Sequence, residues 1–214
     1  MHKLYRHYKN KLYRVKGFTK HSETLEGMVH YEALYENPTA RFWSRPKKMF
    51  FGTVKMEDGR EVPRFAPVEA DVRTVTSPTE NDLKICEDLM ASFFGFVDAQ
   101  DFRETLKLKT KVCLLIASFE GKPVGFKLGY AQDAGEFYSW LGGTHPDYQR
   151  LGIAGRLMKT QYDWCKAQGF KKIRTKTENR HRAMLRLNLR QGFQIIGTQQ
   201  SSEHLKVILE KAVI

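Results

Sequence analysis

The most informative part of the sequence is residues 144–158, which read THPDYQRLGIAGRLM. A strand is predicted to end here, and a helix to begin near Ile153 after a turn at Gly152. Because Gly152, Ala154 and Gly155 lack bulky side chains, the backbone can approach a ligand closely. The first amide groups of a helix have no acceptor within it, and they lie at the positive end of the helix dipole. The stretch therefore predicts a binding site for a phosphate or diphosphate.

Two common phosphate-binding motifs are excluded here. The Gly-Lys-Ser/Thr element of a Walker loop is missing, and the glycine spacing differs from that of the dinucleotide-binding GxGxxG pattern.

The composition indicates a globular, basic protein. Of 214 residues, 36 are Lys or Arg and 24 are Asp or Glu, which gives a formal net charge of +12. A hydrophobic fraction of 41% is sufficient for a packed core and excludes general disorder. The positive charge favours an anionic partner, such as nucleic acid, a phosphorylated cofactor or an acidic surface.

Cysteine usage and hydropathy indicate the compartment. Cys86, Cys113 and Cys165 are odd in number and show no CxxC spacing, so we expect no disulfide framework and no metal site. No apolar run approaches the ~20 residues of a membrane span, and the basic N-terminus lacks the apolar stretch of a secretory signal. We therefore expect a cytoplasmic protein with no membrane partner.

A change of composition near residue 70 predicts two domains, residues 1–68 and 69–214. The first is predicted to be a small β-rich module, with strands at 11–18, 28–35 and 49–55. Asp58-Gly59 lies between two candidate strands and predicts a hairpin.

The second domain is predicted to be α/β. Ser77 is a candidate helix cap, with Pro78 at the first helical position. The order β-α-α-β-β-β-α-β-α-β-β predicts a mixed, mostly antiparallel sheet with helices on both faces. The predicted strands are 73–76, 112–119, 123–131, 136–144, 172–177, 193–199 and 203–210, and the predicted helices are 80–94, 98–109, 153–168 and 180–191.

Two sequence elements resemble those of the GCN5-related N-acetyltransferase (GNAT) superfamily. Residues 149–154, QRLGIA, fit its acetyl-CoA signature Gln/Arg-x-x-Gly-x-Gly/Ala. Asn179, Ala183 and Gly192-Phe193 match a second element, Asn…Ala…Gly-Phe. The resemblance extends over roughly residues 72–210 in element order. It implies an enzyme that uses acetyl-CoA as cosubstrate and acetylates a primary amine by direct attack on the thioester, with the acceptor left open.

The resemblance also implies which residues bind the coenzyme. Backbone amides of residues 151–156 would hold its pyrophosphate, and the main chain of residues 142–144 would bind the pantetheine arm. Asn179 would contact that arm, although it is also a candidate helix cap. The complete predicted set is Gly142, Gly143, Thr144, Gln149, Arg150, Leu151, Gly152, Ile153, Ala154, Gly155, Arg156, Asn179, Arg182 and Asn188.

One position departs from the family pattern. Asn188 stands where many members carry a tyrosine that protonates the leaving thiolate, and an amide cannot act as a general acid. The acid is left unassigned: another tyrosine, a water molecule or no acid at all would serve. The alternative function is a non-catalytic protein that binds CoA or nucleic acid on a degenerate acetyltransferase fold.

The reaction also requires a base. A lysine-like ammonium has a pKa of ~10.4, so deprotonation at pH 7 costs on the order of 4–5 kcal/mol. Glu136 is the leading candidate base, and Tyr138, on the same face of the strand, is predicted to line the acceptor pocket. The alternative for Glu136 is a solvated carboxylate at the start of a strand. An amide near Thr144 is predicted to donate to the oxyanion.

The first domain resembles the bacterial family of unknown function DUF1653. The resemblance rests on motifs such as Tyr5-Arg6-His7-Tyr8-Lys9, His21-Ser22-Glu23-Thr24, Trp43-x-Arg45-Pro46 and Val62-Pro63-Arg64-Phe65. It implies a fold unit and no activity. Its basic and aromatic residues either stack on bases, hold a peptide, or form the core and rim of a small barrel.

Arg182, Arg186 and Arg190 recur every four residues and form one stripe on the last helix. The stripe is either a phosphate-binding or nucleic-acid-binding surface or a solvated helix face, which we favour. Nucleic acid is therefore not the favoured partner. The sequence leaves the oligomeric state open, and a dimer is plausible.

Overall fold

The computed structural model describes residues 4–95, 98–200 and 204–214. The chain divides into two compact units, one ending at Glu69 and one beginning at Ala70. Each unit has its own sheet and its own core. Within the described ranges, every helix is too short or too polar to cross a lipid bilayer.

The first unit is the predicted β-rich module. Strands β4, β3, β2, β1 and β7 form, in that order, an antiparallel sheet, and β5 and β6 form a separate hairpin. Tyr5, Val15, Val29, Tyr31, Phe50 and Phe65 form the core. The elements are β1 (Leu4–His7), β2 (Leu12–Lys20), β3 (Gly27–Ala33), β4 (Phe42–Pro46), helix α1 (Lys47–Phe51), β5 (Thr53–Lys55), β6 (Glu61–Pro63) and β7 (Phe65–Val68).

The strand predicted at 49–55 is wrong in its first half, because α1 occupies Lys47–Phe51 and only Thr53–Lys55 is extended. The aromatic run favours a strand by composition. The helical turn instead buries Phe50 completely and stacks its ring on Phe65, with centroids 4.0 Å apart. The predicted hairpin is confirmed, with Gly59 at φ +84° in its turn.

The second unit has the predicted order of strands and helices. Strand β8 begins it, and the sheet order is β13-β14-β12-β11-β10-β9-β8. Among the described strands of this sheet, only β11 and β12 run parallel to each other. Residue 203, where the last strand is predicted to begin, lies outside the described residues. The elements are β8 (Asp71–Val75), α2 (Glu80–Phe94), α3 (Ala99–Lys107), β9 (Thr110–Phe119), β10 (Lys122–Asp133), β11 (Glu136–Thr144), α4 (Ile153–Ala167), β12 (Lys172–Glu178), α5 (Arg182–Arg190), β13 (Gln194–Gln200) and β14 (Leu205–Ala212).

Helices cover both faces of this sheet, as predicted. On one face, Leu89 and Met90 of α2 and Phe102 of α3 pack in one cluster with apolar residues of β9 and β10. On the other face, Phe137 of β11 contacts Trp164 of α4, with ring centroids 5.5 Å apart. The alternating directions of strand residues explain this two-sided core.

Two predicted helix starts need correction. The cap of α2 is Thr79 and not Ser77: the Asp82 amide donates to the Thr79 hydroxyl, and the Thr79 amide donates to the Asp82 carboxylate. Helix α5 begins at Arg182 with His181 before it, so Asn179 does not cap it. The Asn179 amide instead donates to the carbonyl of Leu205 at 2.9 Å, which holds Asn179 against β14.

Candidate active site

The central feature of the site is a gap that opens between β11 and β12 beyond Tyr138 and Arg174. We call this gap the wedge. The two parallel strands pair only at Glu136–Lys172, Phe137–Ile173 and Tyr138–Arg174. Beyond Tyr138, the Thr175 hydroxyl donates to the carbonyl of Ser139 at 2.9 Å. From there β11 remains paired with β10 and β12 with β14, but the described residues show no ladder between β11 and β12. The backbone of 139–144 therefore has one edge available for a ligand.

A β-bulge coincides with the opening of the wedge. Leu141 lies opposite Leu128, but Ser139 lies opposite Gly129, so Trp140 is an extra residue in β11. A bulge bends its strand and increases the local twist. The bend carries β11 away from β12 at the point where their pairing stops.

Close packing explains the two glycines at the end of β11. A Cβ at Gly143 would lie 2.4 Å from the Phe93 ring, and a Cβ at Gly142 would lie 2.9 Å from the carbonyl oxygen of Phe126. Both positions therefore exclude a side chain whether or not a ligand is bound. Their predicted main-chain contacts with a pantetheine arm stay a prediction.

The predicted phosphate turn joins β11 to α4. After a short 3₁₀ turn at Pro146–Tyr148, Arg150 and Gly152 adopt left-handed backbone conformations, with φ of +64° and +90°. Gly152 is the N-cap residue and has no side chain with which to cap the helix. The turn therefore directs the first amides of α4 outward.

The amides of the turn differ in whether they already have an acceptor within the helix. The amide of Arg156 donates to the carbonyl of Gly152 at 3.0 Å, which makes it the first hydrogen bond of the helix. The role of Arg156 in binding the pyrophosphate stays a prediction, and its amide is the one in the turn that already has an acceptor in the helix. The amides of Leu151 to Gly155 precede that bond and remain candidates, as do the side chains of Gln149 and Arg150, which are exposed.

Three buried polar atoms near the wedge have no hydrogen-bond partner in the described part of the chain. They are Ser139 Oγ, Thr144 Oγ1 and, on α4, Gln161 Nε2. A buried polar group without a partner costs about 1–3 kcal/mol. Three of them around one wedge indicate a site that accommodates polar groups of a ligand. The amide-bearing arm and diphosphate of a coenzyme A thioester fit these donors and acceptors.

Glu136 lies at the paired end of β11, away from the turn. Eight residues, roughly 25 Å of extended strand, separate it from Thr144. Its carboxylate is buried and forms ion pairs with Lys172 at 3.1 Å and Arg174 at 3.2 Å. The same two cations pair with Glu210 of β14. Glu136 is therefore part of a network across three strands, and not the solvated carboxylate of the alternative interpretation.

Tyr138 lies two residues further along β11, on the same face as Glu136. Its ring lies 5.7 Å from that of Tyr130. Burial raises the pKa of Tyr138, so the phenol is protonated at neutral pH. The side chain is half-buried on the side covered by α2 and α3.

The remaining predicted residues lie on or before α5. Asn188 is buried, with 3% of its surface exposed, and its carbonyl accepts the amides of Gln191 and Phe193 where the helix ends. Asn179 is half-buried before the helix. The stripe of Arg182, Arg186 and Arg190 is exposed, which fits a solvated helix face.

Sequence reasoning missed Lys127. This residue of β10 pairs with Gly142, and a Cβ at Gly142 would lie 3.4 Å from its Cγ. Lys127 lines a cavity of about 50 Å³ with Gln161 of α4, Ile173 of β12 and Phe193, and no carboxylate among the described residues lines it. Burial lowers the pKa of Lys127 to about 8. A charged residue within the apolar segment 124–130 is the signal that could have identified it.

Comparisons with known proteins agree with this architecture. The family model "Acetyltransferase (GNAT) family" matches residues 83–193, and the model of DUF1653 matches residues 3–67. No curated protein matches the chain.

Solved acetyltransferases share the fold of the second unit. The ribosomal-protein-S18-alanine N-acetyltransferase from Escherichia coli is 15% identical with a TM-score of 0.59, over 67% of this chain and 94% of that one. Ard1 from Thermoplasma volcanium is 16% identical with a TM-score of 0.58, over 69% of this chain and 99% of that one. An aminoglycoside 6'-N-acetyltransferase complexed with coenzyme A is 12% identical with a TM-score of 0.56, over 67% and 97%.

The GNAT match spans more than half of the chain and contains the wedge and the turn before α4. The chain therefore belongs to the GNAT family of acetyltransferases and carries a DUF1653 module before that domain.

Proposed function

We propose that this protein is an N-acetyltransferase that transfers the acetyl group of acetyl-CoA directly to a primary amine. The observation that carries the proposal is the wedge between β11 and β12, which leads to the amide-bearing turn of α4. Acetyl-CoA supplies the activated acyl group. The chain supplies the binding edge of β11 and the amides of Leu151 to Gly155 for the diphosphate. Asn179 and Arg182 are proposed contacts at the rim.

The wedge holds the reacting groups away from bulk water. Ser139 and Thr144 offer buried hydroxyls with no partner among the described residues, and the edge of β11 offers backbone amides. Amides fixed before the reaction stabilise developing negative charge without reorganisation. Positioning beside an amine then replaces a bimolecular encounter by a local step.

We propose Glu136, acting through water, as the base that takes the proton from the acceptor amine, with Tyr138 lining the acceptor pocket. Glu136 is held in one place by Lys172 and Arg174, which favours a fixed orientation. The same contacts would suit a purely structural carboxylate. Two matched variants separate these roles, because Glu210 belongs to the same ion network but lies on β14.

The experiment compares Glu136→Gln with Glu210→Gln. If Glu136 is the base, its variant loses at least about tenfold in turnover at neutral pH while Glu210→Gln retains turnover. Both variants should lose similar stability in thermal melts. Equal turnover in the two variants would remove Glu136 from the mechanism.

We propose Lys127 as the proton donor that replaces the tyrosine absent at Asn188. Its side chain passes beside Gly142 at the wedge, and the cavity it lines reaches Gln191 and Phe193 after α5. Lys127 would give a proton from Nζ to the leaving thiolate and regain one from solvent. Turnover should then fall as pH rises through about 8. The pH–rate profile of Lys127→Met should lack this decrease.

The second candidate function is coenzyme binding without turnover, and the buried amide of Asn188 is the observation that favours it. Release of thiol from acetyl-CoA over a panel of polyamines, amino acids, aminoglycosides and peptides decides between the two. Turnover above background with any amine supports the enzyme. Saturable acetyl-CoA binding without turnover would support the binding protein.

A further inference from the structure

Two arginines and a histidine of the first unit form a cluster with no carboxylate partner among the described residues. The register pairs His7 with Phe65 and Val29 with Arg45, and these residues lie on the core-facing side of the sheet. His7, Arg45 and Arg64 are each half-buried. We call these three residues the cationic cluster.

Aromatic side chains hold the cationic cluster in place. The Arg45 guanidinium donates through Nε to the hydroxyl of Tyr31 at 3.2 Å. The His7 ring lies 4.7 Å from Phe65 and 6.2 Å from Tyr13. Tyr13 and Tyr35 share a hydrogen bond of 2.6 Å between their hydroxyls. Burial and this bond raise the pKa of Tyr13, so its hydroxyl keeps its proton.

Contacts around Phe65 bring the three members together. The Phe65 ring lies 4.7 Å from His7 and 5.4 Å from Tyr31, which accepts the hydrogen bond of Arg45, and Arg64 precedes Phe65 in the chain. Burial, followed by Arg45, Arg64 and Lys9, lowers the pKa of His7 to about 4. His7 is therefore neutral at physiological pH. Its Nδ1 accepts the amide of Lys9 at 3.4 Å, which leaves the ring proton on Nε2 as a donor.

The same unit contains a second group of cations that is arranged around a buried carboxylate. Buried Glu32 pairs with Arg41 at 2.6 Å, Lys16 at 3.5 Å and Arg14 at 3.7 Å. In contrast, no carboxylate in the described ranges pairs with Arg45 or Arg64, and Arg64 Nε is buried without a partner among those residues. Partly buried guanidinium groups without a counter-ion are costly to the fold.

We propose that His7, Arg45 and Arg64 form a binding site for an oxyanion, the carboxylate or phosphate group of a ligand that is distinct from acetyl-CoA. Two guanidinium groups supply forked donors that match either group. His7 Nε2 supplies a further donor, and the ring of Phe65 borders the site. This inference is independent of the acetyltransferase proposal, because it concerns the DUF1653 module alone.

The test follows His7 in the full-length protein by NMR. Its ring resonance, assigned with His7→Gln, is titrated with pH in chloride, inorganic phosphate and acetate at matched ionic strength. A bound anion opposes the charge of the arginines, so the pKa of His7 should rise by about one unit or more above its value in chloride. A larger rise in phosphate assigns a phosphate ligand, and a larger rise in acetate assigns a carboxylate.

Three variants complete the test. Arg45→Gln and Arg64→Gln should each raise the pKa of His7 in chloride, because a neighbouring positive charge is lost, and should abolish the response to the anion. Arg41→Gln, which removes an exposed arginine paired with Glu32, should keep the response. If chloride, phosphate and acetate give the same pKa in the wild-type protein, the inference is wrong. Acetyl-CoA affinity should be unchanged in Arg45→Gln, so the two proposals fail separately.

A second measurement, the melting temperature, tests the inference even if the variants fold poorly. At pH 7, phosphate or acetate should raise the melting temperature of the wild-type protein above that in chloride, by mass action on the folded state. Arg45→Gln should retain its own melting transition but lose this difference. Equal melting temperatures in all three salts would also overturn the inference.

Discussion

At the scale of single residues, Lys127 is a charged side chain whose burial beside the wedge costs folding free energy. Its strand neighbours Phe126 and Leu128 are fully buried, and Lys127 itself lines a cavity under α4. Among the described residues, the ionisable groups that act on Lys127 are the buried thiols of Cys165 and Cys113. Burial raises the pKa of both thiols, so they are uncharged at neutral pH and do not compensate the ammonium.

Replacement of Lys127 by methionine should therefore stabilise the protein. Methionine fills a similar volume without a charge, so the free energy of unfolding at pH 7 should rise by about 1–3 kcal/mol. Because the pKa is lower in the folded than in the unfolded state, the unfolded chain binds one more proton between about pH 8 and 10.4. Over that range the wild-type protein should gain stability relative to the variant.

Denaturant unfolding of both proteins at pH 7, 8, 9 and 10 measures this difference. A Lys127→Met protein that is less stable than wild type at pH 7 would show that the ammonium has a compensating partner. The same variant tests the proposed proton donation, since a stabilised protein with reduced turnover cannot owe the loss of turnover to unfolding.

At the scale of elements, the turn before α4 depends on backbone conformation more than on side chains. Gly152 has φ +90° with no atom within 4 Å of a built Cβ. Gly169, which follows the other end of α4, has φ +77° and equally open surroundings. The two glycines therefore provide a matched pair in which only the position differs.

We expect Gly152→Val and Gly169→Val to lose similar stability, about 1–2 kcal/mol each, because both force a side chain into a left-handed conformation. Only Gly152→Val should lose acetyl-CoA affinity, by about tenfold or more, because strain at the turn displaces the amides of Leu151 to Gly155. Thermal melts and equilibrium binding give the two quantities. Equal loss of affinity in both variants would show that the effect is one of general stability.

The same elements show what the sequence could and could not predict. Periodicity predicted α4 and the order of strands because long amphipathic segments bury one face whatever surrounds them. It did not predict α1, since the burial of Phe50 against Phe65 depends on a contact that is distant in sequence. The cap of α2 depends on Asp82 reaching back to Thr79, and Ser77 offers the same local chemistry.

The features of the candidate site also fall into those that the sequence could predict and those that it could not. The glycines of the turn were predictable because local backbone conformation selects them. The bulge at Trp140 and the wedge arise from the registers of β11 with β10 and β12, which no local pattern specifies. The cationic cluster of the first unit likewise depends on residues far apart in the chain, such as His7 and Arg45.

At the scale of the whole molecule, the net charge of +12 does not require a nucleic-acid partner. Arg182, Arg186 and Arg190 are exposed on α5, and Lys172 and Arg174 are neutralised by Glu136 and Glu210. The two proposed anion sites, at the turn of α4 and at the cationic cluster, would account for part of the positive charge. The remainder is spread over solvated faces.

We therefore expect no steeply salt-dependent binding of RNA. Fluorescence anisotropy with a labelled single-stranded RNA should show little change at low salt, and Arg186→Gln should leave that result unchanged. Affinity that decreases steeply with the logarithm of salt concentration would instead show that several phosphates are neutralised together.

The most direct test of the central claim is calorimetric titration of the folded, full-length protein with acetyl-CoA and with free CoA. We expect saturable heat at one site per chain for both ligands, and we expect this heat to be lost in Gly152→Val but not in Gly169→Val. A folded wild-type protein that gives no heat with either form would contradict the claim that the wedge and the turn of α4 bind the coenzyme.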